Sequence, residues 1–181
     1  MIRVSAFLAA TVLAGFGAAA QHAPYAGLEQ RTVKALSDQQ LADLRAGRGM
    51  GLALPAELNG YSGPLHVIEQ AEALGLSAEQ RERMQALFEA MKAEAVALGE
   101  RLIAEETDLD RQFSGRTVTP ASLAETTGRI GRTQVELRAA HLKYHLATVD
   151  ILTSHQMRRY SELRGYAGHE QGHRPNDHRR P

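Results

Sequence analysis

Apolar residues recur at alternating steps of three and four along one stretch of the chain: Met84, Phe88, Met91, Ala95, Leu98, Leu102, Leu109 and Phe113, with only Glu105 out of step. That spacing is one face of an α-helix. Over residues 78–113 it predicts a helix on the order of 50 Å long at 1.5 Å per residue, with Gly99 as the expected place for a bend. A second helical pattern covers residues 120–151, with Thr119 as cap and Pro120 in the first turn. Between the two, Ser114-Gly115-Arg116-Thr117 reads as a tight turn. So short a connection forces two long helices to lie antiparallel as a hairpin.

Shorter helices are predicted on either side by one recurring signature. Leu36-Ser37-Asp38-Gln39-Gln40, Leu76-Ser77-Ala78-Glu79-Gln80 and Leu152-Thr153-Ser154-His155-Gln156 each place a hydroxyl at a helix start and a Gln three residues later. The hydroxyl accepts from an early backbone N–H, and the Gln reaches back to the cap residue, which is a capping box. The boxes start helices at residues 38–46, 78–113 and 154–164. Pro64 suits the first turn of another helix over residues 65–74, closed by Gly75, and one or two turns form around Pro55. Residues 21–35 read as an extended leader, and Gly47-Arg48-Gly49-Met50-Gly51 as a flexible turn. Its glycines do not make a phosphate loop, because no strand precedes them and no Lys-Ser/Thr follows.

The second long helix is apolar on two sides. At 100° per residue Val135, Ala139, Leu142, Leu146 and Val149 form one stripe, read as the ordinary core seam. Ile130, Leu137, Tyr144 and Ile151 fall on roughly the opposite side. A helix in a small hairpin buries one stripe against its partner helix, so the second must meet the short helices, a second subunit, or non-native client proteins.

The N-terminus reads as a targeting segment. Residues 1–20 carry one charge, Arg3, then an apolar run, then Ala18-Ala19-Ala20 before Gln21. This is the pattern of a cleavable secretory signal peptide, with an apolar run too short to span a bilayer, so periplasmic export without stable membrane insertion is expected. The chain has no cysteine, which excludes disulfides, a Cys-linked lipid anchor and thiol chemistry. It has 21 basic and 21 acidic residues, and removing residues 1–20 takes away one Arg and no acid. That balance gives no electrostatic reason to expect nucleic acid or an anionic membrane as partner. Residues 64–165 form the expected helical domain, residues 21–63 a leader with a short helix and a Gly-rich loop, and residues 166–181 a polar His/Arg-rich tail expected to be disordered.

Candidate chemistry is sparse. His141 and His145 stand four apart on one helix and can share a face, half of a zinc or other transition-metal site; the alternative is that both sit on a half-polar face. His169, His173 and His178 in the tail could add loose ligands. Leu142 follows His141, so no His-Glu-x-x-His protease motif is present. There is no nucleophile elbow, no Walker loop and no working pair of carboxylates, so no enzyme is expected and no cofactor is required.

Two of the boxes carry a resemblance. Leu74-Gly75-Leu76-Ser77-Ala78-Glu79-Gln80-Arg81 opens the first long helix, and Asp150-Ile151-Leu152-Thr153-Ser154-His155-Gln156-Met157-Arg158-Arg159-Tyr160 follows the second. Placed so, they resemble the Leu-Thr-x-x-Gln motifs of the periplasmic Spy/CpxP family and its zinc-resistance-associated relatives, over residues 64–165. The resemblance implies an all-α, cradle-shaped, antiparallel homodimer. It implies a stress protein acting as an ATP-independent chaperone for partly unfolded envelope proteins, as a partner of a sensor kinase, or as a zinc binder. On that reading Ile130, Leu137, Tyr144 and Ile151 supply apolar client contacts, with Arg138 and Lys143 steering acidic clients, and His141, His145, His169, His173 and His178 are the metal candidates. The motif residues Leu76, Ser77, Gln80, Leu152, Thr153 and Gln156 act as helix caps.

Overall fold

The computed structural model describes residues 24–166. The expected signal peptide and the tail histidines His169, His173 and His178 lie outside the described residues. Those residues are all-helical, without a strand: α1 (Asp38–Arg45), α2 (Leu54–Glu57), α3 (Pro64–Glu69), α4 (Ala78–Ser114), α5 (Pro120–Val149) and α6 (Ser154–Leu163), preceded by one 3-10 turn at Leu28–Gln30. None of these helices is long and apolar enough to cross a membrane.

Each of the three boxes closes as its chemistry requires. The Ser37, Ser77 and Thr153 side chains accept from the backbone N–H of Gln40, Gln80 and Gln156, whose side chains accept from the cap residues' own N–H groups. A fourth box, unread from the sequence, uses a short side chain: Thr119 and Ser122 make the same reciprocal pair at the start of α5. Leu36 packs in the same cluster as Leu41, and Leu152 in the same cluster as Met157. At the middle box Arg81 instead donates from Nε to the Leu76 carbonyl at 3.2 Å.

α4 is 37 residues long, about 55 Å at the standard rise. Its contacts with α5 step down one helix as they step up the other. Gln112 Nε2 donates to Thr126 Oγ1 at 2.9 Å, Arg101 Nε to Thr133 Oγ1 at 3.0 Å, and the Tyr144 hydroxyl to Glu94 Oε2 at 3.1 Å. The Thr148 hydroxyl reaches Met84 Sδ at 3.9 Å. The two helices therefore lie side by side and run in opposite directions.

The α5 stripes exchange the roles read from the sequence. Ile130 and Leu137 are 7% and 3% exposed, whereas Val135 and Leu146, assigned to the core seam, are 69% and 58% exposed. The reason lies in residues left out of an apolar count. Thr126, Thr133, Ala140 and Thr148 fall on the same face as Ile130 and Leu137 and are all buried. These small side chains let the helices approach, and their hydroxyls are satisfied locally: Thr148 donates to the Tyr144 carbonyl at 2.8 Å, and Thr126 and Thr133 accept from α4.

The leader also differs from its expected extended form. Val33 and Leu36 are buried with Leu41 and Leu44 against Ala95, Leu102, Ile103, Ile130 and Leu137. Each such side chain gains about 1.5–3 kcal/mol on full burial, which offsets the ordering of its backbone. α3 stops at Glu69, and turns carry the chain through Gly75. α4 runs unbroken through Gly99. An added Cβ there would stand 2.5 Å from the Leu44 carbonyl oxygen, so this glycine admits the end of α1 against α4. A second cluster, Val67, Ala71, Leu74, Leu76, Met84, Leu152 and Tyr160, joins α3 and α6 to the start of α4.

Candidate functional site

Residues 47–51, read as a free turn, are laid against the paired long helices. Gly47 has φ of 66°, and a Cβ on it would lie 3.1 Å from both the Lys92 carbonyl and Val96 Cγ2. Only a glycine meets the conformation and the closeness together. The same segment, with α2 and the start of α3, roofs a cleft of about 840 Å³ whose other wall is Phe88, Met91 and Lys92 of α4 and His141 and His145 of α5.

His141 and His145 are thus brought together, both buried, which differs from a place on a half-polar surface. His145 Nδ1 donates to the Tyr61 carbonyl at 2.7 Å. That bond orients the ring and, in the neutral form, leaves Nε2 as an acceptor. Gly63 sits against this ring: a Cβ would come within 2.9 Å of Cε1 and 3.0 Å of Nε2. The His141 Nε2 is buried without a partner. Burial, and after it the neighbouring His145, holds the His141 imidazole below its ordinary range.

The least expected member of the site is Glu57, 7% exposed. Its Oε1 accepts from the Tyr160 hydroxyl at 2.6 Å, Arg164 Nε at 3.2 Å and the Tyr166 hydroxyl at 3.2 Å. Its Oε2 is buried without a hydrogen bond and lies 3.8 Å from His145 Nδ1. Burial and then the bond to Glu57 push the Tyr160 phenol up, so it stays a donor. One sequence signal for Glu57 existed: it is the lone charge in the apolar run Leu52-Ala53-Leu54-Pro55-Ala56-Glu57-Leu58. Its partners are spread too far along the chain to be read that way.

The residues expected to touch clients are not gathered in one place. Ile130 and Leu137 lie within the α4–α5 seam, and Ile151 packs beside the second cluster. Tyr144 is half-buried on Glu94. Lys143 pairs with the same carboxylate at 2.6 Å, and that bond lowers the Glu94 pKa and raises that of Lys143. Arg138 is exposed. Among the described residues no group of three or more His, Asp or Glu side chains is arranged to hold a metal ion.

Comparison with protein-family models, curated proteins and solved structures gives no match to this chain.

Proposed function

We propose that the protein is a non-enzymatic holding factor of the Spy/CpxP type, exported to the periplasm, where it binds partly unfolded envelope proteins without nucleotide. In this reading it works as a cradle-like homodimer of helical hairpins. The observation that carries the proposal is the exposed stripe of α5. Val135 and Leu146 stand in solvent with Ala139 beside them, and Leu142 and Val149 are half-buried at its edge. A soluble helix that keeps such a row outside its own core offers it to another chain. The client surface therefore moves from Ile130 and Leu137 to Val135, Ala139 and Leu146, with Arg138 exposed nearby. A sensor kinase is the other chain this stripe could meet.

Aggregation suppression with the purified protein and no ATP tests the proposal. Suppression at stoichiometric ratio supports it; none at several-fold excess overturns it.

A metal-binding reading rests on one observation, that His141 and His145 line the same cleft. Zinc or a similar ion would need further ligands from His169, His173 or His178, beyond the described residues. Calorimetric titration with zinc tests it, and heat unchanged after substitution of His141 and His145 counts against it.

A further inference from the structure

We propose that the cleft under residues 47–51 binds a free, single-chain amphipathic anion, a carboxylate or sulfonate on an aliphatic or small aromatic body. This site is separate from the exposed stripe of α5. Three of the large apolar side chains left exposed by the fold, Met50, Leu54 and Leu65, converge on this one cleft. Phe88 and Met91 complete an apolar wall behind them. The volume, about 840 Å³, lies within the usual range of small-molecule sites, roughly 300–1,000 Å³.

The sign of the ligand follows from the charges that line the cleft. Arg45, Arg48, Lys92 and Arg164 face a single carboxylate, Glu57, which is already held by Arg164, Tyr160 and Tyr166. Arg45 and Arg48 pair with Glu100 and Asp43, neither of which lines the cleft, and both arginines remain more than half exposed at 56% and 63%. Lys92 has no carboxylate partner among the described residues. An apolar pocket with one unpaired lysine and two exposed arginines at its mouth, whose carboxylate partners lie outside it, selects a molecule with an apolar body and an anionic head. An amphipathic cation or a neutral hydrocarbon satisfies the apolar half of the site only.

The test is calorimetric titration of the purified protein with sodium dodecanoate below its micelle threshold, beside dodecyltrimethylammonium and phosphatidylglycerol vesicles. The expected result is saturable binding of one dodecanoate per chain and no binding of the ammonium. Lys92→Glu and Leu54→Asp should each weaken dodecanoate about tenfold, the scale of one lost contact of this kind. Both positions are exposed, so thermal melts of the two variants should match the parent and separate a lost site from a lost fold. No saturable dodecanoate binding overturns the proposal. So does equal binding of the ammonium, affinity unchanged in both variants, or binding to vesicles alone.

Discussion

Gln80 and Gln156 bond to each other in both directions, Nε2 to Oε1 at 2.9 Å one way and 3.0 Å the other. Each is also the closing residue of a capping box. Gln80 Nε2 donates further to the Ile151 carbonyl at 2.9 Å, and Gln156 is buried. The side chains that cap α4 and α6 therefore also tie the beginning of α4 to the beginning of α6 and to the link that joins it to α5. A carboxylate in place of either amide could close the box but not this pair, since it has no N–H to give.

Substituting either glutamine by alanine should destabilise the fold by about 1–3 kcal/mol, because a partly buried amide partner is left unpaired. The double substitution should cost less than the sum of the two, with a coupling of about 0.5–3 kcal/mol. Denaturant unfolding of the four proteins checks this. Strict additivity would show that each Gln serves only as a cap.

Gly99→Ala should destabilise the protein despite alanine's better helix propensity. The propensity gain is about 1 kcal/mol. The new Cβ would sit 2.5 Å from the Leu44 carbonyl, and overpacking against backbone costs about 1–3 kcal/mol. The clash wins if α1 stays docked. Unfolding midpoints check the sign, and hydrogen exchange over α1 should show increased opening.

Which features could be read from the sequence depends on their range along the chain. A capping box joins residues three apart, so Ser37, Ser77 and Thr153 announce helix starts that the structure repeats. The long helices follow from period alone. The choice between the two stripes of α5 is different: both are apolar, and the decision rests on the small residues of one face, of which Thr126 and Thr133 find side-chain partners only after α4 and α5 pair. The cleft was less legible still. His141 and His145 could be placed on one helix, but Glu57 meets Tyr160 across 103 positions, and no local pattern encodes that contact.

Stability should fall as the pH is lowered through the region of ordinary histidine titration. His141 has its pKa lowered from 6.5 in the fold, so below that value the unfolded chain binds a proton that the folded chain still refuses. Stability then decreases with falling pH until the folded-state pKa is passed, where this contribution levels off. His141→Gln should flatten that part of the profile. Midpoints of urea unfolding measured from pH 7.5 downward check it, and an unchanged profile in the variant would assign the effect elsewhere.

Tyr160→Phe should remove the shortest of the three bonds to Glu57 Oε1 and keep the ring's packing beside Met84 and Leu152. A hydrogen bond to a charged group is worth about 1.5–3 kcal/mol, with the lower end expected because Arg164 and Tyr166 still donate. The melting temperature checks the loss. Glu57→Gln would keep the shape and hold the tyrosine bond, so it should cost less than Glu57→Ala, which opens a cavity and strands the Tyr160 hydroxyl.

Val135→Asp with Leu146→Asp should leave the chain as stable as its parent, within about 0.5 kcal/mol for each exposed position. Both side chains stand in solvent on the outer face of α5. Leu137→Asp at the α4–α5 seam should instead unfold the protein, since it buries an unpaired charge. If the outer stripe receives clients, the double variant loses aggregation suppression while its melt is unchanged. If the stripe is the contact between two copies, sedimentation shows the variant as a monomer. An outer-face variant that keeps both suppression and assembly would leave the stripe without a role and would remove the main support for a holding factor.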